Sequence, residues 1–162
     1  MLIAALAVAE AFAAPITLNG TVEETRYATP PARVHPADEA PAVYRYLGTL
    51  PAPGTVVVEF PFGEWAYELR YVFYSTVHWH PLLNGYSGHF PMSYNLNAIH
   101  LRHPLDSREA SWEALMESGA THAIVHSEYY LDDEGEKIAR WLAQNGARQV
   151  ADFDGDRVFA LR

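Results

Sequence analysis

The sequence predicts an α/β fold in which helices cover a mainly parallel sheet, a Rossmann-like three-layer arrangement. Two short β-branched runs, at residues 55–60 and 121–126, are typical of strands buried on both faces. Segments with helical spacing separate these runs, and such alternation favours parallel strands joined by helices. The chain ends in two strand-like runs around Asp154 and Gly155, which predict an antiparallel hairpin at the edge of the sheet.

Length and composition limit the class of protein. The chain has 162 residues, of which 49% are apolar, and this fits one domain with a sizeable core. A formal charge of -9 repels phosphate backbones, so we expect no nucleic-acid partner. The absence of cysteine excludes disulfides, thiolate metal sites and cysteine nucleophiles. The sequence contains no Walker loop, G-x-G-x-x-G or H-E-x-x-H motif, so no cofactor is predicted.

The chain divides into three regions. Residues 1–18 are apolar apart from Glu10 and Thr17. This run is short for a complete membrane helix and lacks the basic start of a signal peptide. The end of a membrane helix, a signal-like segment and an ordinary buried helix therefore all stay open. Residues 19–38 carry three prolines and no sustained period, which predicts a connector, and the α/β domain spans residues 39–162.

Three elements are predicted in the first half of the domain. A helix begins near Asp38, which can cap it, and ends at Gly48. The strand at residues 55–60 follows. Residues 64–76 place apolar side chains at helical spacing, which predicts a second helix. The side chains at that spacing are Trp65, Leu69, Val72 and Phe73.

Further elements are predicted before the terminal hairpin. Pro81 disfavours helix at the preceding residue, so Leu82 and Leu83 are expected to form a short central strand. A short helix follows and stops at Pro104. Two longer segments show helical stripes and helix ends marked by glycine. These are residues 106–119, with Trp112, Leu115 and Met116 inward, and residues 132–146, with Ile138, Trp141 and Leu142 inward.

Polar and aromatic side chains collect where the predicted strands end. In open parallel sheets, ligands bind at the carboxyl ends of the strands. The residues expected to line one crevice there are Glu59, Asn84, Tyr86, Ser87, His89, His126 and Glu128. Aromatic walls without lysine suit a sugar better than a phosphate. The alternative is that the glycines, prolines and Asn84 of this stretch only satisfy a tight turn.

Histidines near the same stretch raise the possibility of a metal site. His78 and His80 form an H-x-H pair, and His89 lies further along the chain. On a strand the pair would share one face, as two metal ligands require. The segment supplies no carboxylate to complete the set, so no metal ligand is assigned. His78 and His80 stay as ligand-binding candidates.

Longer motifs carry a resemblance to a known family. They are "EFPFG" at residues 59–63 and "YSTVHWHPLLNGYSGHFP" at residues 74–91, together with the apolar "EAFAAP" and the terminal "VADFDGDRVFALR". The pattern, from about Ala11 to Arg162, resembles the soluble C-terminal region of bacterial multi-spanning membrane glycosyltransferases of the C-type superfamily. That group is related to protein mannosyltransferases and aminoarabinose transferases.

The resemblance implies a function without catalysis. In that superfamily the catalytic carboxylates lie near the start of the membrane part, so no catalytic residue is assigned here. It implies an accessory domain on the periplasmic side of the bacterial inner membrane, with the membrane and a glycan or lipid-linked sugar as partners. Such a domain packs on the membrane part or holds an acceptor glycan at the strand-end crevice.

Two other functions stay open at this point. One is a free-standing periplasmic or secreted carbohydrate-active enzyme, with Glu59 and Glu128 as acid and base. Glycosidase chemistry would require these carboxyls to lie within about 5 to 9.5 Å of each other. The other is a histidine metal-binding domain built on the H-x-H pair.

Overall fold

The structure is a computed structural model that describes residues 26–31, 33–86 and 89–162. The apolar segment 1–18, the first part of the connector, and Ser87 with Gly88 lie outside the described residues. Two short 3-10 turns, Ala37–Glu39 and Ser127–Tyr129, accompany the regular elements. Those elements are α1 (Ala42–Leu47), β1 (Val57–Phe60), α2 (Trp65–His78), α3 (Met92–Leu101), α4 (Arg108–Glu117), β2 (His122–His126), α5 (Glu134–Gln144), β3 (Arg148–Phe153) and β4 (Asp156–Ala160).

The four strands form one mixed sheet in the order β1-β2-β4-β3. β1 and β2 are parallel, whereas β4 is antiparallel to both β2 and β3. The predicted α/β class and the C-terminal hairpin are therefore confirmed, but the prediction of a mainly parallel sheet is wrong. The reason is that β3 and β4 arrive as a hairpin, and its second strand pairs with β2 in the opposite direction.

The predicted central strand at Leu82 and Leu83 lies at the edge of the sheet instead. Leu82 makes one isolated parallel bridge with Val57, on the side of β1 that β2 leaves open. The backbone N–H of Leu83 donates to the carbonyl of Val57 at 2.9 Å. Beyond this point the side chain of Asn84, rather than further backbone, pairs with β1. The strand therefore stops after a single bridge.

Side chains alternate along the strands, so both faces of the sheet are buried. One face carries Phe60, Val125 and Phe159, which pack with side chains of α4 and α5. The other face packs against α1 and the aromatic ring of Tyr74 on α2. Burial on both sides explains why β1 and β2 are mainly apolar, with Glu59 and the histidines at the ends of β2 as the exceptions.

Helix α1 begins later than predicted. Asp38 belongs to the separate 3-10 turn, and Pro41 immediately precedes the first residue of α1. A proline disfavours helical backbone in the residue before it, here Ala40, which adopts an extended conformation. The chain therefore breaks between the turn and the helix, and Asp38 does not cap α1.

The described part of the connector lies along α2. Tyr27 makes an antiparallel bridge with Tyr130 and is buried. The guanidinium of Arg70 on α2 donates to the backbone carbonyls of Pro31 and Arg33 at 2.7 and 3.1 Å. These contacts hold the entering chain against the inner side of α2.

Helix α2 turns its apolar side chains outward. The four residues whose spacing predicts the helix are between 39% and 49% exposed; they are Trp65, Leu69, Val72 and Phe73. The opposite side of the helix is buried and consists of Tyr67, Glu68, Arg70, Tyr71, Tyr74 and His78. Apolar residues at helical spacing ordinarily mark the face that packs on the core, and here this arrangement is reversed.

Candidate functional site

A buried polar cluster lies where β1 and β2 end. His126 stands opposite Asp156 in the sheet register, and its Nδ1 lies 2.7 Å from the Oδ1 of Asp156. Its Nε2 lies 2.8 Å from the Oε2 of Glu59 on β1. The hydroxyl of Tyr44 on α1 donates to the same carboxylate oxygen at 2.9 Å. Both ring nitrogens of His126 therefore face carboxyl groups.

Aromatic rings enclose this cluster. The ring of His126 stacks on Tyr129 at 4.7 Å and on Tyr71 at 5.4 Å between centroids. The side chains of Glu59 and His126 have no exposed surface, whereas that of Asp156 is 24% exposed. Among the side chains of the cluster in the described part of the chain, Asp156 is therefore the one that meets solvent.

The cluster retains a proton at neutral pH. Burial alone lowers the pKa of His126, but the adjacent Asp156 and Glu59 outweigh it and raise that pKa to about 9. Burial raises the pKa of Glu59, although His126 and Tyr44 oppose the shift. Both directions favour keeping one proton between the two side chains, whereas an isolated glutamate and histidine would together hold only about a quarter of a proton at pH 7.

A second buried carboxylate, Glu68, organises the loop after Leu83. It accepts hydrogen bonds from the backbone N–H groups of Gly63 and Gly85 and from the side chain of Asn84. The amide of Asn84 also pairs with both the N–H and the C=O of Glu59, at 2.6 and 2.9 Å. Burial raises the pKa of Glu68 to about 7, against the effect of these donors. All of these contacts hold the backbone of the loop in place.

A groove of about 910 Å³ opens beside this loop, between α2 and the pair α3 and α4. Tyr86, Phe90 and Tyr94 form an aromatic wall, with Phe90 stacked on Tyr94 at 4.8 Å. The described residues that line the groove include no lysine or arginine. The polar lining consists of Asn84, Ser93, Asn97, His100, Glu113, Glu117 and Ser118.

Some of the predicted site residues lie in the buried cluster, some line the groove, and others lie in neither. Glu59 and His126 lie together in the buried cluster. Asn84 and Tyr86 line the groove, with Asn84 buried and the ring of Tyr86 41% exposed. His89 and Glu128 are exposed and are not among the residues that line the groove. Ser87 lies outside the described residues.

His78 and His80 are buried, and their rings form hydrogen bonds with backbone groups. His78 is the last residue of α2, and Trp79 after it has a left-handed backbone with φ of 59°. The Nδ1 of His78 accepts from the N–H of His80, and the Nε2 of His80 lies 2.8 Å from the carbonyl oxygen of Leu47. Burial and the neighbouring His80 lower the pKa of His78 to about 4. Across the described part of the chain, no three His, Asp or Glu side chains are grouped so that they could hold a metal.

The sequence did not predict several residues of the buried cluster and of the groove. Asp156 follows the predicted Asp154-Gly155 turn, but its contact with His126 depends on β4 pairing with β2. Glu68 and Tyr44 lie on helices, where a carboxylate or a tyrosine ordinarily faces water at least in part. The groove wall from α3 and α4 depends on how two helices pack together. Only the dense aromatic content of residues 86–94 gave a usable local signal.

Comparisons of the chain with protein-family models, with curated proteins and with solved structures find no match. Among the helices of the described residues, none is long and apolar enough to cross a membrane. Residues 1–18 are not among these described residues. The function must therefore be argued from the geometry of the groove and of the buried cluster.

Proposed function

We propose that this chain forms an accessory domain of a membrane glycosyltransferase and holds an uncharged stretch of acceptor glycan in the groove beside Tyr86. The domain lies on the periplasmic side of the bacterial inner membrane. The observation that carries the proposal is the lining of the groove, whose described residues combine aromatic rings with amide, hydroxyl and carboxylate groups and include no lysine or arginine. Aromatic faces pack on sugar rings, and the polar groups bond their hydroxyls.

The polar groups of the groove are placed for such hydrogen bonds. Asn97 on α3 offers a donor and an acceptor and is half-buried. Glu113 and Glu117 lie one turn apart on α4, and their carboxylates accept from hydroxyl groups. A phosphate or a carboxylated sugar would meet these two negative charges, and the described lining contains no lysine or arginine to compensate them, so a neutral glycan fits best.

The buried cluster gives no support to a hydrolytic function. Glu59 is wholly enclosed and its carboxylate is bonded to His126 and Tyr44. Glu128 is exposed on the 3-10 turn after β2. An acid and a base must both face the scissile bond of a bound sugar. We therefore assign the chain a holding role and no catalytic residue.

Titration of the isotope-labelled full chain with neutral monosaccharides and short glycans, followed by NMR, tests the proposal. Shifts are expected at Tyr86, Phe90 and Asn97. Tyr86→Ala is expected to weaken binding about tenfold, because it removes one stacking surface. Tyr46→Ala is the matched control, since that half-buried tyrosine packs on Phe153 away from the groove.

Two results would contradict the proposal. The first is a well-dispersed spectrum that no sugar of the panel shifts. The second is binding that Tyr86→Ala and Tyr46→Ala weaken equally, which would place the sugar outside the groove.

A further inference from the structure

Two neighbouring helices expose apolar rows beside the groove. On α2 the row consists of Trp65, Leu69 and Phe73, and on α3 of Met92, Leu96 and Ile99. We call this surface the two-helix face. The α3 side chains are between 57% and 78% exposed, more than those of α2. Val72 and Leu96 line the same groove, so the rows lie on its two sides. Large apolar patches exposed on soluble proteins ordinarily mark surfaces that bind a partner or a membrane.

The same region of the sequence lacks charge. From Tyr71 to Leu101 the chain contains no Asp, Glu, Lys or Arg, although charged residues make up 19% of the whole. Surface helices ordinarily carry charged side chains on the face that meets water. The two-helix face therefore has the composition of a surface that is removed from water.

The described chain begins next to this face. The guanidinium of Arg26 lies 3.2 Å from the Nδ1 of His103, which follows the last turn of α3. The apolar residues 1–18 precede Arg26 by a stretch that can span at most about 29 Å. An apolar segment placed in a bilayer would thus keep α3 near the bilayer surface.

We infer that the two-helix face docks on the surface of a zwitterionic phospholipid bilayer. The inference shares only the membrane location with the proposed function, and of the six side chains of the two-helix face Leu96 alone also lines the groove. Tryptophan and tyrosine are enriched where proteins meet the membrane interface, and Trp65 lies 6.2 Å from the ring of Tyr86. The face has no lysine or arginine to attract anionic lipid, and the net charge of -9 repels it.

Single labelled cysteines in the full chain test this inference, because the natural sequence has none. Leu69→Cys and Ile99→Cys place an environment-sensitive fluorophore on the two-helix face. Val34→Cys and Leu131→Cys are matched controls, since their exposures of 45% and 65% are close to the 49% and 70% of Leu69 and Ile99. Leu131 is a strict control, because its N–H donates to the carbonyl of Arg26, where the chain enters the domain.

Phosphatidylcholine vesicles are expected to shift the emission to the blue and to shield it from iodide at Leu69 and Ile99 only. The double variant Leu69→Glu, Ile99→Glu is expected to lower the partition coefficient at least about tenfold, because two apolar contacts are lost. Val34→Glu, Leu131→Glu is expected to leave it unchanged. Circular dichroism checks that both double variants are folded.

Three outcomes overturn the inference. One is the absence of vesicle binding, and another is equal shielding at all four labels, which would assign the binding to residues 1–18. The third is shielding without lipid that increases with protein concentration, which would mean that a second copy covers the face. Since Leu69 and Ile99 do not line the groove, the double variant is expected to keep its glycan affinity, so the two proposals can fail separately.

Discussion

Helices α5 and α2 are both regular, yet they bury opposite kinds of side chain. In α5 the apolar Ile138, Trp141 and Leu142 pack into the core, while charged residues occupy the outer side. In α2 the apolar row is exposed and the tyrosines, Glu68 and Arg70 are inside. The difference shows that helical spacing identifies a helix, whereas the partners available on each side decide which face is buried.

Most polar groups on the inner face of α2 are hydrogen-bonded, and the exceptions are the Nε of Arg70 and the Nε2 of His78. Glu68 accepts from two backbone N–H groups and Asn84, and Arg70 donates to two connector carbonyls. The hydroxyl of Tyr67 donates to the carbonyl of Ala28. Buried polar groups are tolerated when each finds such a partner. The apolar row of α2 stays exposed in the described part of the chain.

The largest effect is expected from the tryptophan inside α5. Trp141→Ala removes a side chain that is 1% exposed, and it should lower the free energy of unfolding by about 3 to 5 kcal/mol. Trp65→Ala on α2 should change it by no more than about 0.5 kcal/mol. Urea unfolding followed by circular dichroism measures both. Similar losses of unfolding free energy in the two variants would contradict this difference between α5 and α2.

The second effect is a pH dependence of the free energy of unfolding. It arises from the buried cluster under the inner face of α2, where Tyr71 stacks on His126. The pKa of His126 is raised from 6.5 to about 9, so the folded state binds this proton more tightly than the unfolded state. The stabilisation is complete below pH 6.5 and is lost as the pH rises through 9, with an amplitude of up to about 3 kcal/mol.

Urea unfolding between pH 7.5 and 9.5 measures this loss. Glu68, whose raised pKa is about 7, loses its own contribution between pH 4.5 and 7 and so lies mostly outside the interval. His126→Gln should flatten the slope, and Asp156→Asn should reduce it by removing one carboxylate. An equal slope in the wild type and both variants would be inconsistent with the cluster as its source.

A third prediction compares neighbours on α2. Glu68→Ala should lower the free energy of unfolding by about 1 to 3 kcal/mol, because it leaves buried N–H groups without an acceptor. Leu69→Ala, one residue along, should change it by no more than about 0.5 kcal/mol. Hydropathy alone predicts the reverse order. Chemical denaturation of the two variants decides between them.

The smallest effect is expected at Phe73, in the exposed row. Phe73→Ser should move the melting temperature by no more than about 2 °C, since the side chain is 41% exposed and lies outside the core. Calorimetry on the full chain in the absence of lipid measures this. A loss of more than about 1 kcal/mol would mean that the row is already packed in the free protein.

The sequence by itself determined the local elements. β-branched runs predict β1 and β2, the Asp154-Gly155 turn predicts the hairpin, and the period of residues 132–146 predicts α5 with its correct buried stripe. It also placed Glu59 and His126 at strand ends and Tyr86 in an aromatic loop. These features are readable because they depend on residues two to four positions apart.

Only the tertiary structure decided how those elements meet. The antiparallel entry of β4 made the sheet mixed and brought Asp156 to His126, 30 positions apart in the chain. Contact with the connector, the loop at Gly85 and β1 buried the polar side of α2 and assigned Asn84 to the backbone of Glu59. These arrangements depend on hydrogen bonds between segments that are distant in the chain. A periodic pattern in the sequence does not show which segments will be neighbours.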